Sequence, residues 1–212
     1  MDNEILLIDK PKGITSFDVI RRLRRALGIR KMGHGGTLDP LASGLMLIGV
    51  EKGTKKLNDY LKLPKVYEAQ VLLGKKTTTG DMEGKVISSK KVEEVDLREV
   101  EKVIRSMKGK IILPVPLYSA IKLKGTPLYK HARKGHEIKP PEKEMEIISI
   151  KLNSHFQEDD FYILALIIEV ASGTYIRSIA EELGKRLNLP ATLKELRRTQ
   201  IGKFKIEKAD KI

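Results

Sequence analysis

One carboxylate stands in a glycine-rich turn. Residues Gly33-His34-Gly35-Gly36-Thr37-Leu38-Asp39-Pro40 place Asp39 just ahead of the apolar run Gly44–Val50. The three glycines let the backbone take positive φ and approach a ligand closely. Pro40 disfavours the helical region for Asp39, so its carboxylate sits on extended or turn backbone. The run that follows reads as a buried strand. A carboxylate beside a core strand is well placed for chemistry, although the same residues also make a plain Asp-Pro connection between two elements. There is no Walker loop, no dinucleotide fingerprint and no G-x-S-x-G elbow. The histidines at 34, 131, 136 and 155 have no helical pairing suited to zinc. For an enzyme, what remains is a metal-free, cofactor-free reaction that uses a carboxylate.

The elements that position this turn follow from pattern. Ile5–Ile8 reads as a short strand and Lys10–Gly13 as a turn. Ser16 is expected to cap a helix with Val19, Ile20, Leu23, Ala26 and Leu27 inward and Gly28 as its stop. Its other face carries Arg21, Arg22, Arg24 and Arg25, which suits either solvent or phosphate contact. A short helix over Thr54–Leu61 and a strand over Val66–Leu73 come next, then a polar loop, Gly74–Gly84. Asp96 and Glu99 form a capping box for a helix with Leu97, Val100, Val103, Ile104 and Met107 inward, ended by Gly109. Prolines at 114, 116, 127, 140 and 141 bracket an excursion, Pro114–Lys143. It is read as a strand near Tyr118–Leu123 and a helix near Leu128–Lys134. Strands over Met145–Leu152 and Phe161–Ala171 follow. Ser172-Gly173-Thr174 opens a helix with Ile176, Ile179, Ala180, Leu183 and Leu187 on one face. A last short helix carries Leu193, Leu196, Arg197 and Arg198. Without a regular βαβ rhythm, a mixed α+β fold with a mostly antiparallel sheet is expected.

Composition narrows the partner. Lys and Arg outnumber Asp and Glu by 41 to 28, a net charge of +13. That excess favours a polyanion, nucleic acid before an anionic membrane. The absence of cysteine excludes disulfides and thiolate metal sites and points to a cytosolic setting. No apolar run is long enough to span a bilayer, and the first residues lack the pattern of a secretory signal.

Leu7-Ile8-Asp9-Lys10-Pro11-Lys12-Gly13-Ile14-Thr15-Ser16 and the Asp39 motif through Gly44 closely resemble the tRNA pseudouridine-55 synthases of the TruB family. The likeness continues through Lys65-Val66-Tyr67 with its loop to Gly84, Tyr118–Lys122, Gly173–Ser178 and Leu196-Arg197-Arg198, in family order over nearly the whole chain. The resemblance implies the pseudouridine synthase fold and isomerisation of a T-loop uridine in tRNA, with no metal or cofactor. It implies that Asp39 is the catalytic aspartate, acting as nucleophile at C1′ or base at C2′. Arg177 matches the arginine that pairs with it. Tyr67 matches the tyrosine that stacks on the base and takes the C5 proton. Tyr175 matches a second pocket tyrosine and Leu196 an apolar wall of the uracil site. His34 matches the histidine that fills the stack once the base is flipped out. Lys10, in the first block, is counted with the substrate-binding residues.

Each of these residues also has a plainer reading: a helix-surface arginine, a core tyrosine or leucine, a loop histidine. The excursion corresponds to the family's flexible RNA-gripping insertion and brings Lys122, Lys124, Lys130, Arg133 and Lys134. With Arg21 and Arg25 of the first helix, Lys122 and Arg133 are the expected RNA-backbone contacts. The chain departs from the family pattern at Gly35, usually Thr, and at Thr78 and Thr79, although Asp81 is kept. The expectation is a single catalytic domain, 1–212, with the insertion 114–143 and no PUA domain. It would act as a cytoplasmic monomer, with no guide RNA and no membrane. A tRNA-folding chaperone that binds the tRNA elbow is the alternative.

Overall fold

The structure, a computed structural model, describes residues 4–123, 125–133 and 138–212. Lys124, Lys134 and His136 lie outside the described residues, as does the side chain of Arg133. In chain order the elements are β1 (Ile5–Lys10), α1 (Ser16–Leu27), β2 (Met32–His34), β3 (Ser43–Val50), α2 (Leu57–Leu61) and β4 (Lys65–Leu73). Next come β5 (Lys75–Thr77), β6 (Val86–Ser89), α3 (Leu97–Ser106), β7 (Gly109–Pro114), β8 (Lys122–Leu123), β9 (Thr126–Pro127) and α4 (Leu128–Arg133). The chain closes with β10 (Glu142–Glu158), β11 (Phe161–Val170), α5 (Ile176–Arg186), β12 (Ala191–Ile201), β13 (Phe204–Lys205) and β14 (Asp210–Lys211). A 3-10 segment, Glu51–Lys56, precedes α2. The fold is α+β with a mixed, mostly antiparallel sheet, as expected.

The chain forms two compact units, and β4, β11 and β12 each contribute to both. The first unit comprises Met1–Ala69, Ile167–Ser172 and Glu195–Ile212. Here β1 runs antiparallel to β3 from Ile5↔Gly49 to Lys10↔Gly44, and β12 lies parallel to β3. The neighbours run β14, β1, β3, β12, β4, so the strand after Asp39, the strand of Leu196 and the strand of Tyr67 are adjacent. On one sheet face Leu45, Leu47 and Ile201 pack with Ile5, Leu7, Tyr60, Leu63 and Phe204. Helix α1 buries Val19, Ile20 and Leu23 as their spacing predicts, whereas Ala26 and Leu27, expected inward with them, are exposed at its end.

The second unit comprises Gln70–Leu166 and Gly173–Lys194. Its β10 pairs antiparallel with β7 from Glu142↔Pro114 to Ile147↔Gly109. Helices α3 and α5 bury Val100, Val103 and Ile104, and Ile176, Ile179, Ala180 and Leu183.

Several expectations need correction. Ser16 is not the cap of α1. Thr15 is, its hydroxyl accepting from Asp18 N while Asp18 closes the box. The short helix over Leu193–Arg198 is a strand, β12. Its leucine spacing and helix-forming residues suit a helix, but pairing between β3 and β4 overrides local propensity. The strand near Tyr118–Leu123 shrinks to Lys122–Leu123, paired with Thr126–Pro127. The sequence reading has no strand at β2, β5, β6, β7, β9, β13 or β14; most are two or three residues long, β6 has all four residues exposed, and β7 is an edge strand that begins at Gly109. The strand read as ending at Leu152 continues to Glu158, where Asp159 turns with φ 53° into β11.

Candidate active site

In the first unit the Asp39 loop is tied down from both sides. Leu38, which is buried, donates its N–H to Ser16 Oγ at 2.8 Å and accepts from the same hydroxyl at 2.9 Å. Gly13 N donates to Pro40 O at 2.8 Å and Ala42 N to Asp39 O at 3.0 Å. Earlier in the loop, Gly35 N donates to Leu47 O at 2.8 Å. The residues on either side of Asp39 are therefore bonded to α1 and to the turn between β1 and α1. The carboxylate itself is half-buried. A rigid backbone around a partly accessible carboxylate suits a group that must meet one atom of a substrate.

Around that loop the basic residues divide by task. Lys10 is fully buried, its ammonium donating to Pro11 O at 3.0 Å and Ile14 O at 2.6 Å. It holds the turn that Gly13 anchors. Lys65, buried on β4 two residues before Tyr67, donates to Leu61 O and Leu63 O, both at 2.6 Å. Burial, with Arg198 adding repulsion, brings its ammonium down to about 8. His34 lies on β2 rather than in the loop. Burial holds its imidazole below the ordinary value, Arg198 pushes the same way, and a bond with the Gly36 backbone opposes them. The ring is therefore neutral at pH 7, and its Nδ1 has no hydrogen-bond partner. Tyr67 and Leu196 are buried. Arg197 forms a two-pronged pair with Asp9 at 3.1 and 2.7 Å, which raises its own affinity for the proton.

Helix α1 borders an open groove of about 520 Å³ lined by Ile14, Asp18, Arg21, Arg22, Arg25 and Ala26. Arg21 is held by Asp18. Arg22 and Arg25 are exposed, and among the described residues no carboxylate pairs with either.

In the second unit Arg177 is buried in the first turn of α5. Its guanidinium donates to Thr79 O and Tyr118 O, both at 3.0 Å, and lies 3.7 Å from the buried Asp81 carboxylate. Asp81 also accepts from Thr79 Oγ1 at 2.5 Å and Glu83 N at 3.1 Å. The polar loop is pinned to β12, with Leu193 N donating to Gly80 O at 3.0 Å and Thr77 Oγ1 bonded to Thr192 Oγ1 at 3.0 Å. Burial raises the carboxyl of Glu181, which Lys76 and Arg177 hold down. Tyr175 is half-buried just before α5, with Lys143 Nζ 5.9 Å from its ring centre. Lys122 is exposed on the small β8–β9 hairpin. Among the described residues there is no cluster of metal-ligating side chains, and no helix is long and apolar enough to cross a membrane.

The model of the TruB family pseudouridylate synthases, N-terminal domain, matches residues 24–176. That span covers the Asp39 loop, Tyr67, the polar loop and the excursion. The chain belongs to the TruB family. Among curated relatives, a protein of Endomicrobium trichonymphae named tRNA pseudouridine synthase B is 40% identical over 97% of this chain and 87% of its own length. A protein of the same name from Fusobacterium nucleatum is 43% identical over 96% of this chain and 69% of its own. Among solved structures, the chain resembles one from a Cbf5-Nop10-Gar1 complex, with a TM-score of 0.75 and 27% identity over 98% of this chain. It spans 52% of that solved chain. The fold is that of the pseudouridine synthases.

Sequence reasoning placed no role on three residues of this TruB-family chain. Asp81 was noted only as kept within a divergent loop, and its contact with Arg177 joins residues far apart in sequence. Lys65 and Arg198 stood inside matching blocks, but their buried bonds to distant carbonyls depend on the tertiary fold.

Proposed function

We propose that this chain isomerises a uridine to pseudouridine in the T loop of tRNA, at position 55, with Asp39 as the reacting group. The N1–C1′ bond breaks, the uracil turns, and C5 bonds to C1′. C5 then gives up its proton and N1 carries one in the product. The transfer is intramolecular, so no cofactor is consumed. The observation that carries this reading is the immobilised Asp39 loop in a chain 40% identical, over 97% of its length, to a protein named tRNA pseudouridine synthase B.

Tyr67 stacks on the extruded base and its hydroxyl receives the C5 proton. Leu196 lines the uracil site. His34, neutral at pH 7, fills the vacated stack without bringing a charge into it. Arg177 and Tyr175, in the second unit, keep the roles that the resemblance gives them. Lys10 serves the site by fixing the turn beside the Asp39 loop. Phosphates are met by Arg25, Lys122 and Arg133, joined by Arg22, whereas Arg21 is engaged by Asp18. The enzyme works in the cytoplasm as a monomer, without a guide RNA.

The test is a site-resolved map of carbodiimide-reactive pseudouridine in tRNA incubated with the protein alone. Wild type should modify one T-loop uridine. Asp39→Asn should modify none and still bind tRNA, because affinity comes mainly from Lys and Arg. Turnover by the Asn variant would overturn the assignment.

A further inference from the structure

Arg198 stands in the matching block Leu196-Arg197-Arg198, yet the reaction above gives it nothing to do. It is 1% exposed on β12, on the opposite strand face from Arg197. Its Nε donates to Leu45 O at 2.7 Å and its Nη2 to Gly36 O at 3.2 Å. Gly36 precedes Asp39 and Leu45 follows it, so one guanidinium closes the segment at both ends.

The main chain reinforces the closure. Arg198 pairs in parallel register with Gly44, whose φ is +108°. A Cβ at Gly44 would lie 2.3 Å from the Arg198 carbonyl oxygen. Only glycine permits this approach, which draws β12 against the end of the loop.

Among the described residues no carboxylate pairs with Arg198. A buried cation without a counter-charge is costly, and the planar fork with several fixed donors is what a lysine or an amide could not reproduce here. Its field reaches Lys65 and His34, where it adds to the effect of burial.

We propose that Arg198 is a positioning residue, which clamps Gly36 to Leu45 and so presents the Asp39 carboxylate in one orientation. The proposal rests on the reading of Asp39 given above. Misplacement of a reacting group by about 1 Å can cost on the order of a hundredfold in rate, so the clamp has a kinetic signature.

Arg198→Lys keeps the charge but can span the two carbonyls less well, and Arg198→Met removes both. Pseudouridine formation is measured in a single turnover, with enzyme in excess over tRNA. The first-order rate constant then does not depend on how much of the enzyme is folded. Both variants should slow by at least about tenfold, with tRNA affinity within about twofold of wild type. Backbone amides of residues 36–45 should exchange hydrogen faster in Arg198→Lys. Unchanged rate constants with only a lower amplitude would reduce Arg198 to support of the fold and overturn the proposal. Unchanged exchange in residues 36–45 would overturn it as well, whatever the activity. If wild type itself forms no pseudouridine, the functional reading falls, while the exchange measurement still decides whether the clamp exists.

Discussion

Replacing Ser16 by Ala separates its place in the loop from the capping role suggested by sequence. The Ser16 hydroxyl serves both backbone groups of Leu38, at 2.8 and 2.9 Å, in a buried setting. Its removal leaves one N–H and one C=O without a partner, at about 1–3 kcal/mol each and so about 2–6 kcal/mol together. Thr15→Ala, which removes the true cap, should cost only about 1 kcal/mol. In a chain of this length each kcal/mol lowers Tm by about 2–4 °C. Ser16→Ala should therefore melt roughly 4–24 °C below wild type and Thr15→Ala roughly 2–4 °C below. Circular dichroism melts of the three proteins give the comparison, read as midpoints because two compact units need not unfold together. Leu38 is the neighbour of Asp39, so single-turnover rate should fall in Ser16→Ala while tRNA affinity holds. A larger loss in Thr15→Ala, or a Ser16→Ala protein that melts and turns over like wild type, would refute this account of the loop.

Other consequences can be measured separately. Arg177→Lys should lose at least about tenfold in turnover, or about 1.4 kcal/mol, since an ammonium offers its donors from one point and lacks the fork whose separate nitrogens reach Thr79 O and Tyr118 O; a milder loss in a single-turnover assay would leave Arg177 as general charge only. Charge reversal at Arg22 and Arg25 should flatten the log–log salt dependence of tRNA binding by about 1.4 to 1.8, and an unchanged slope would remove this groove from the RNA path. Lys65 has a folded value near 8 against 10.5 unfolded, so between these the unfolded chain holds the proton and the folded one does not. Raising pH from about 8 to 10.5 should thus stabilise wild type relative to Lys65→Met, with no relative change below pH 8; thermal midpoints that track each other across this window would contradict it.

How far the fold could be read in advance depended on where the decisive contacts lie. Helices α1, α3 and α5 carry their burial in their own spacing, as with Val100, Val103 and Ile104. Strands β3 and β11 announce themselves as apolar runs. By contrast β6 buries none of its residues, Val86 and Ile87 included, and the far half of β10 is mostly exposed, so neither shows an alternating buried face. β12 was misread because Leu193 and Leu196 satisfy a helical period, whereas the strand uses Arg197 and Arg198 on opposite faces. The turn that carries Asp39 was legible because its glycines and proline mark it within a few residues. Ser16 was misassigned for the converse reason: its partner, Leu38, is 22 residues away.

Charge shows the same limit, with a functional consequence. The net +13 reads as a surface for a polyanion. Yet in the first unit Lys10, Lys65 and Arg198 are buried and bonded to six backbone carbonyls, those of Pro11, Ile14, Leu61, Leu63, Leu45 and Gly36. These carbonyls lie mostly in turns, at a helix end or in the Asp39 loop, where the regular ladders supply no donor. A buried carbonyl without a donor is destabilising, and a long cationic side chain brings several donors to one point. Irregular backbone needs such donors, so these cations are spent on the main chain and not on phosphate. The cations left open to solvent are those that the fold leaves unspent, Arg22 and Arg25 among them. A count of basic residues therefore overstates the surface open to a polyanion, because part of the excess is spent on turns, a helix end and the ends of the Asp39 segment.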